Sequence, residues 1–390
     1  MSPSVASSVP DPDADARAHS DRLRAEIARA IDAADGFLPF DRYMQMVLYA
    51  PGLGYYVAGA RKFGSAGDFV TAPELTPLFG RTLAAQVDSI LEATQRREIV
   101  EFGAGSGKLA ADLLAALAVR GRPPARYSII EVSAELRERQ RATIERLAPP
   151  QLAQVEWTTQ LPARIEGAVV MNEVLDAVPV HVIARRGGAW LERGVSLEYG
   201  RLAWTERPLR DARLMALAAS RFPAAGDYAS ELNPAAEALV EHVGRRLASG
   251  ALVVIDYGFP CAEYYLAERS NGTLMGHYRH RVHDDPFLWP GLSDLTAHVD
   301  FTAIAEAGER AGLAVAGFTT QASFLLACGL LDRLRETGAP KSLAYLREAS
   351  AVQTLTSMSG MGERFKVLAL ERGEGIDWSG FALSDRSHRL

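Results

Sequence analysis

A run of alternating glycines constrains this chain more than any other feature of its sequence. Residues 99–107 read IVEFGAGSG, so a short apolar run leads directly into Gly103, Gly105 and Gly107, and a helical pattern follows. Glycine lets a backbone turn sharply and approach a ligand without a Cβ, and the start of a helix offers unpaired N–H groups. We therefore predict a strand–turn–helix unit whose turn binds a nucleoside-containing ligand. A tight turn without a ligand is the alternative interpretation.

The residues around this turn alternate short apolar runs with helical patterns. The runs cover residues 98–102, 127–132, 155–157 and 168–171, and a strongly apolar run at 251–256 continues the series. This alternation is typical of βαβ units that build a parallel sheet. The sequence therefore predicts an α/β fold.

The chain is predicted to have three parts. Residues 1–20 are polar and acidic and are interpreted as a disordered tail, and residues 21–94 as an N-terminal helical cap with a glycine-rich lid. Residues 95–390 would form the α/β domain. Two insertions are expected in it, at about 181–230, where hairpin patterns occur, and at 259–300, which is polar and aromatic.

The composition excludes several classes of protein. The 42 Lys and Arg against 48 Asp and Glu give a net charge of -6, which disfavours a nucleic-acid backbone as the main partner. Cys261 and Cys328 are too few for a disulfide framework or a thiolate zinc site, and a reducing compartment fits. No secretory signal and no membrane span are expected, because even the mostly apolar residues 314–331 are interrupted by polar residues. We predict a cytoplasmic protein, and its oligomeric state stays open.

The identity of the nucleoside depends on two acidic residues. Glu131 lies 24 positions after Gly107, close to the spacing of about 20 expected for a carboxylate that accepts from ribose hydroxyls. It also precedes a helical run, where its charge would favour the helix dipole. The pattern G-x-G-x-x-A from Gly105 satisfies the dinucleotide fingerprint, so an NAD-dependent dehydrogenase stays open. Glu101 counts against it, since a carboxylate there is unfavourable for a pyrophosphate and suits the ammonium of a methionine moiety.

Polar residues follow the run at 168–171. Asn172, Glu173 and Asp176 would lie at the carboxyl edge of the sheet, where ligands bind in open α/β folds. Carboxylates suit a guanidinium, whose planar fork pairs bidentately with them, although either acid could instead cap a helix. His298 is a candidate proton acceptor, with a hydrogen-bonded structural histidine as the alternative.

No metal site is expected. His277, His280 and His283 are spaced so that one helix would not converge them on an ion, and Arg279 and Arg281 would repel a cation.

Six segments together resemble a known family. They read YAPGLGYY, GDFVTAPELTPLFG, EFGAGSGKLAADLL, MNEVLDAVPV, VVIDYG and DLTAHVDFTAI, and they occur in family order within residues 38–304. By these segments the chain resembles the MidA-like family of S-adenosylmethionine-dependent methyltransferases, which includes the mitochondrial protein arginine methyltransferase that assists respiratory complex I assembly. The resemblance implies a Rossmann-like class I methyltransferase core with an N-terminal helical cap and inserted β-hairpin and helical elements.

The resemblance also implies roles for individual residues, with S-adenosyl-L-methionine as the cofactor. The residues that would bind it are Glu101, Gly103, Gly105 and Gly107 at the methionine end, Glu131 at the ribose, Asn172, and Asp68, Thr71, Pro73 and Glu74 from the cap. The last four could equally be turn and helix-start residues. The acceptor would be an arginine in a partner protein, such as a subunit of respiratory complex I, with Glu173, Asp176 and His298 as catalytic candidates.

Two further functions stay open. The same cofactor core could methylate a small molecule or another side chain. A non-catalytic assembly factor could keep the fold and lose the cofactor site, and the intact glycine turn and Glu131 count against that interpretation.

Overall fold

The structure is a computed structural model that describes residues 9–58, 71–373 and 375–390. The helices are α1 (Ala14–Ala33), α2 (Phe40–Tyr49), α3 (Ala72–Leu75), α4 (Pro77–Thr94), α5 (Lys108–Val119), α6 (Ala134–Leu147), α7 (Ala212–Arg221), α8 (Pro234–Arg246), α9 (Cys261–Tyr264), α10 (Phe301–Arg310), α11 (Gln321–Ala327), α12 (Leu330–Glu336), α13 (Leu343–Thr356) and α14 (Met361–Arg364).

The strands are β1 (Leu38–Pro39), β2 (Glu98–Phe102), β3 (Arg126–Ile130), β4 (Val155–Thr158), β5 (Ile165–Asn172), β6 (His181–Arg186), β7 (Ala189–Glu198), β8 (Arg201–Pro208), β9 (Tyr228–Leu232), β10 (Leu247–Phe259), β11 (Met275–Tyr278), β12 (Arg281–His283), β13 (Asp294–Thr296), β14 (Val299–Asp300), β15 (Ala314–Thr320) and β16 (Phe365–Arg372). Of the helices in the described ranges, none is both long and apolar enough to cross a bilayer.

The chain divides into two compact units, each built from three segments. Unit 1 comprises Met1–Phe69, Asp176–Ala236 and Cys261–His298, and unit 2 comprises Val70–Leu175, Glu237–Pro260 and Val299–Leu390.

Unit 2 contains an eight-stranded sheet with a parallel centre. The strand order is β15-β16-β10-β5-β2-β3-β4, and β14 pairs with β10. Strands β10, β5, β2, β3 and β4 run parallel, whereas β16 is antiparallel to its neighbours β10 and β15. The predicted α/β fold is confirmed, and the turns after β2, β3 and β5 lie at the same carboxyl edge of the sheet.

Helices α4 and α5 build the core of unit 2. The apolar face of α5, with Leu109, Leu113 and Leu117, is buried, as are Leu83 and Val87 of α4. The division drawn from the sequence placed the residues of α4 with the N-terminal cap. The structure has α4 in unit 2, because its apolar face packs into the core that α5 shares.

Unit 1 contains an antiparallel sheet and a small three-stranded sheet. The order of the first is β1-β7-β6-β9, with β8 paired to β7, and the second is β12-β11-β13. The two predicted hairpins are confirmed: β6 turns into β7 at Gly187 and Gly188, and β7 turns into β8 at Tyr199 and Gly200, all with positive φ.

Helix α1 begins earlier than expected, so the predicted disordered tail is wrong for residues 14–20. The Asp13 side chain caps the helix by accepting a hydrogen bond from Ala16 N at 2.9 Å. Ser20 is buried and donates to the carbonyl of Pro290 at 2.9 Å, which fixes this part of the helix within unit 1. The apolar stripe of the helix, formed by Leu23, Ile27 and Ile31, follows further along and is buried.

Candidate functional site

The glycine turn joins β2 to α5 as the sequence predicts. Gly103, Gly105 and Gly107 have φ of 57°, 53° and 83°, a region that favours glycine. A Cβ on Gly107 would lie 2.8 Å from the Cα of Gln140, so a larger residue does not fit there. Gly107 is the N-cap of α5, and no side chain in the described ranges caps that helix. The first-turn N–H groups of α5 are therefore open to a ligand at the turn.

Glu131 follows β3 at the same edge of the sheet. Its side chain is 7% exposed, Oε1 accepts from Ser133 N at 2.9 Å, and Oε2 accepts from Gln140 Nε2 at 3.0 Å. Burial raises the pKa of Glu131, and these hydrogen bonds oppose that effect. A carboxylate offers about four acceptor positions, and the backbone N–H of Val132 is a third donor to this group, so capacity remains for a further donor such as a ribose hydroxyl.

Gln140 connects the turn to Glu131, and the sequence analysis missed it. Its side chain is 0% exposed, Nε2 donates to the carbonyl of Gly105 at 3.1 Å, and Oε1 accepts from Trp157 Nε1 at 3.0 Å. Leu136 and Ile144, four positions before and after it, are buried on the same face of α6. An amide in the middle of an apolar stripe was the signal that could have identified it.

Glu101 lies on β2, just before the turn. Its carboxyl is 2% exposed and accepts a hydrogen bond from the Tyr127 hydroxyl at 2.6 Å. Burial raises the pKa of Glu101 to about 7, although the hydrogen bond from Tyr127 opposes the shift. The group therefore changes charge near neutral pH, and a neighbouring ammonium would favour its charged form.

Short helix α3 reaches the glycine turn. The Ser106 hydroxyl donates to the Glu74 carboxylate, the Thr71 carbonyl accepts from Glu74 N at 3.0 Å, and Pro73 is buried. This places Glu74 in contact with the turn. Asp68, the fourth residue assigned to this region, lies outside the described residues.

The loop after β5 carries Asn172 and Glu173. Asn172 Nδ2 donates to Glu173 Oε1 at 3.2 Å, and Glu173 N donates to the carbonyl of Ile255 at 2.9 Å. Glu173 has φ of 53°, a conformation that costs a non-glycine residue on the order of 1 kcal/mol or more. The surrounding contacts must therefore impose this backbone conformation.

Asp256 holds the backbone of the two residues that follow Glu173, and the sequence analysis missed it as well. Its side chain is 0% exposed, and Oδ2 accepts from the consecutive amides of Val174 and Leu175 at 3.2 and 3.0 Å. Oδ1 accepts from Tyr257 N at 2.9 Å. An acidic residue that ends a strongly apolar run, as in VVIDYG, was the available signal.

The other two catalytic candidates, Asp176 and His298, belong to unit 1. The carbonyl of buried Asp176 accepts from Ala297 N at 3.0 Å, and half-buried His298 donates its backbone N–H to Thr273 Oγ1 at 3.0 Å. The fold of unit 1 thus brings the chain at Asp176 beside the residue that precedes His298.

Unit 1 also contains a tyrosine and a carboxylate that the sequence analysis did not single out. The Tyr56 hydroxyl donates to both carboxylate oxygens of buried Asp294, at 3.0 and 3.1 Å. Burial and the charges of Asp294 and Asp176 raise the pKa of Tyr56 well above its usual range, so it is neutral at physiological pH.

The residues of unit 2 fit a ligand with a ribose and a charged amino group. The open α5 terminus and the glycine turn give close backbone approach, Glu131 offers acceptor capacity for a ribose hydroxyl, and Glu101 offers a carboxyl for an ammonium. Within the described ranges, no group of three His, Cys, Asp or Glu side chains is arranged to hold a metal ion.

Comparison with known proteins decides the family. Residues 78–319, more than half of the chain, match the family described as "Putative S-adenosyl-L-methionine-dependent methyltransferase". The chain belongs to this methyltransferase family. Its cofactor is S-adenosyl-L-methionine, and the dehydrogenase interpretation that the fingerprint left open is set aside.

Solved structures agree with this assignment. A Burkholderia thailandensis protein that was crystallised bound to S-adenosyl-homocysteine is 50% identical, with a TM-score of 0.94, and the match covers 98% of this chain and 100% of that chain. A native structure from the same organism is 49% identical with a TM-score of 0.91, at the same coverage. The Rossmann-like methyltransferase fold implied by the resemblance is confirmed.

Curated relatives are more distant. The protein arginine methyltransferase NDUFAF7 of Homo sapiens is 28% identical over 84% of this chain and 78% of its own length. The Drosophila melanogaster homologue of that mitochondrial protein is 28% identical over 93% of this chain and 88% of its own length.

Proposed function

We propose that this methyltransferase acts on an arginine side chain of a partner protein. The observation that carries the proposal is Glu173, a carboxylate on the loop after β5 whose backbone has φ of 53° and whose N–H donates to the carbonyl of Ile255. This loop follows a central parallel strand, at the edge where ligands bind in open α/β sheets. The relatives named as protein arginine methyltransferases point to the same acceptor.

The cofactor site is proposed to lie at the glycine turn. Gly103, Gly105 and Gly107 would allow close backbone approach, Glu131 would accept from the ribose hydroxyls, and Glu101 would face the amino group. Asn172, Thr71, Pro73 and Glu74 stay predicted members of this site, and Asp68 does too. When bound, S-adenosyl-L-methionine supplies a methyl group on a sulfonium.

Glu173 would orient the acceptor. The pKa of a guanidinium is above about 12, so the group stays charged at physiological pH. A carboxylate pairs with its planar fork through two parallel hydrogen bonds. Such pairing fixes which nitrogen faces the transferred methyl, so the residue contributes alignment and charge stabilisation. Glu173 is also our first candidate to accept the proton that the guanidinium loses. Asp176 and His298 stay predicted catalytic residues.

The proposal for the identity of the partner protein rests on the family resemblance. The resemblance to the family points to a subunit of respiratory complex I as the protein that carries the arginine. The cytoplasmic location expected from the sequence stays a prediction. A panel of arginine, lysine and small-molecule acceptors would reveal a small-molecule acceptor or another side chain. A purely structural role in assembly would give no methyl transfer to any of them.

Two substitutions at different strand ends test the proposal. Glu131→Ala should weaken S-adenosyl-homocysteine binding by about 10- to 100-fold, the worth of hydrogen bonds to a charged group. Glu173→Gln should bind the ligand nearly as the wild type does, yet slow methyl transfer to arginine by about 100-fold, because the amide cannot pair bidentately with a guanidinium or take its proton. Calorimetric titration and a panel of arginine, lysine and small-molecule acceptors provide the two readouts.

Either of two outcomes would contradict the proposal. If Glu173→Gln loses ligand affinity as severely as Glu131→Ala, Glu173 belongs to the cofactor pocket. If it transfers methyl groups at the wild-type rate, a carboxylate at this position does not hold the acceptor.

A further inference from the structure

The three hydrogen bonds of the Gln140 side chain in unit 2 define the orientation of its amide. Trp157 Nε1 is a donor only, so the atom of Gln140 that faces it at 3.0 Å must be the oxygen. The Nε2 group therefore faces the carbonyl of Gly105 at 3.1 Å and Glu131 Oε2 at 3.0 Å, and each acceptor takes one of its two hydrogens. The amide has a single orientation, and both of its hydrogens are used.

We propose that Gln140 is a positioning residue that holds the glycine turn and Glu131 at a fixed separation and thereby sets the affinity for S-adenosyl-L-methionine. This inference rests on the proposed assignment of the turn and Glu131 to the cofactor site. Gln140 itself acts through these two groups and needs no contact with the ligand.

The partners of Gln140 explain why an amide is required. Gly105 O and the Glu131 carboxylate are both acceptors, and Trp157 is a donor, so the residue between them must donate twice and accept once. A carboxylate at position 140 would repel Glu131, and an apolar side chain would remove one hydrogen-bond partner from each of two acceptors and one donor at a partly buried site. The hydrogen bond from Gln140 also lowers the pKa of Glu131 against the effect of burial.

The surroundings make this connection rigid. The backbone of α6 lies directly against the turn, since a Cβ on Gly107 would meet the Cα and the carbonyl oxygen of Gln140 at 2.8 and 3.0 Å. On the other side, the guanidinium of Arg141 stacks over the Trp157 ring at 4.3 Å, which fixes the indole. The turn, α6 and β4 are therefore coupled through one side chain.

Three variants and a control test the inference by calorimetric titration with S-adenosyl-homocysteine. Gln140→Met keeps the length of the side chain and removes its hydrogen bonds, so the dissociation constant should rise by about 10- to 100-fold. Trp157→Phe leaves both donors of Gln140 in place and should have a smaller effect. Ile144→Val, on the same buried face of α6, should lower the unfolding midpoint of the unliganded protein and leave the dissociation constant unchanged.

Gln140→Glu provides a signature that a general loss of stability would not give. Two facing carboxylates share a proton more readily at low pH, so the deficit in affinity relative to the wild type should shrink as the pH is lowered from 8 to 6. The deficit of Gln140→Met should stay constant over that range. In steady-state assays, the kcat of both variants at saturating cofactor should stay near that of the wild type. Their KM for the cofactor should be higher than that of the wild type.

The inference is overturned if Gln140→Met binds with wild-type affinity, or if Ile144→Val weakens binding as much as Gln140→Met does. A pH-independent deficit for Gln140→Glu would also contradict it. Glu131→Ala is measured in parallel, so that an error in the role of Gln140 can be told apart from an error in the proposed cofactor site. If Glu131→Ala weakens binding and Gln140→Met does not, only the role of Gln140 is wrong, whereas wild-type affinity in both variants removes Glu131 from the cofactor site.

Discussion

At the scale of residues, buried carboxyl groups dominate the electrostatics of unit 2. Burial raises the pKa of Glu101 to about 7 and that of Asp112 to about 6, and it also raises the pKa of Glu131. The Tyr127 hydroxyl and the Lys108 ammonium oppose the shifts of the first two. The folded state therefore favours the protonated form of these acids more than the unfolded state does.

Glu101 should make stability fall between pH 5 and pH 8. Because its pKa is 4.5 in the unfolded chain and about 7 in the fold, its contribution is complete below pH 4.5 and is lost as the pH rises through 7. The whole shift corresponds to about 3 kcal/mol. Glu101→Gln keeps the shape and accepts from Tyr127 at every pH, so its urea midpoint relative to the wild type should rise from pH 5 to pH 8.

The exposed Glu135→Gln serves as the control for this measurement. Both variants are compared with the wild type at each pH, which removes the contributions of Asp112 and the other titrating groups. An equal rise for Glu135→Gln would show that the loss of any carboxylate gives the effect. If the urea midpoints of Glu101→Gln and the wild type change with pH in parallel, the protonation of Glu101 is not linked to folding.

Residue types in a local pattern were predictable, and residues that act through distant partners were not. The three glycines and Glu131 follow from spacing along the chain, because a strand, a turn and a helix are adjacent in sequence. Asp256 binds amides 81 and 82 positions away, and Gln140 binds a carbonyl 35 positions away. Neither partner can be inferred before the strand order is known.

At the scale of elements, the loop after β5 depends on β10. Asp256 Oδ2 accepts from the amides of Val174 and Leu175, and Oδ1 accepts from Tyr257 N, so both oxygens face backbone donors. An amide in place of the carboxylate would direct N–H groups at one of these donors. The conformation of the loop that carries Glu173 should therefore relax in Asp256→Asn.

We expect Asp256→Asn to lower kcat/KM for the protein acceptor by about 10- to 100-fold, the worth of hydrogen bonds to a charged group. Affinity for S-adenosyl-homocysteine should change by less than about threefold, since the glycine turn and Glu131 are untouched. The double variant with Glu173→Gln should be little worse than Glu173→Gln alone if Asp256 acts through that residue.

A matched control for Asp256→Asn is Asp211→Asn. Asp211 Oδ1 likewise accepts from two neighbouring amides, those of Arg213 and Leu214, at the start of α7 in unit 1. Its substitution should leave methyl transfer unchanged. Equal losses in both variants, or additive losses in the double variant, would show that Asp256 contributes only to stability.

Most elements followed from apolar periodicity, and the exceptions have physical reasons. Strands β2 and β16 start where their apolar runs start, and α4 matches its pattern. Residues 314–331 show no clear period, because they combine β15, whose last four residues are all buried, with the short helix α11, which has a different period. The positive φ of Glu173 was not predictable either, since tertiary hydrogen bonds impose it.

At the scale of the whole molecule, each unit is assembled from three separate segments. Within unit 1, Tyr56 and Asp294 meet although they are 238 positions apart, and Tyr43 donates to the carbonyl of Pro286, 243 positions away. A linear division of the sequence into domains cannot represent such an arrangement. The sequence predicted the sheet of unit 2 well because most of its parallel strands come from one continuous stretch.

Hydrogen exchange over the whole chain should map the cofactor site. Adding S-adenosyl-homocysteine should slow exchange in residues 103–109 and 131–140 and at Asn172, which lie at three strand ends on one edge of the sheet of unit 2. The hairpins at residues 181–208 should be unchanged. Protection confined to unit 1 would place the ligand away from the glycine turn.

The central claim is that this methyltransferase modifies arginine in a protein, and mass spectrometry of a lysate tests it most directly. A lysate from cells that lack the enzyme would be incubated with isotope-labelled S-adenosyl-L-methionine and either the wild type or Glu173→Gln. We expect labelled methylarginine in at least one protein with the wild type and about 100-fold less with the variant. Label on another side chain or on a small molecule, or equal labelling by both proteins, would contradict the account.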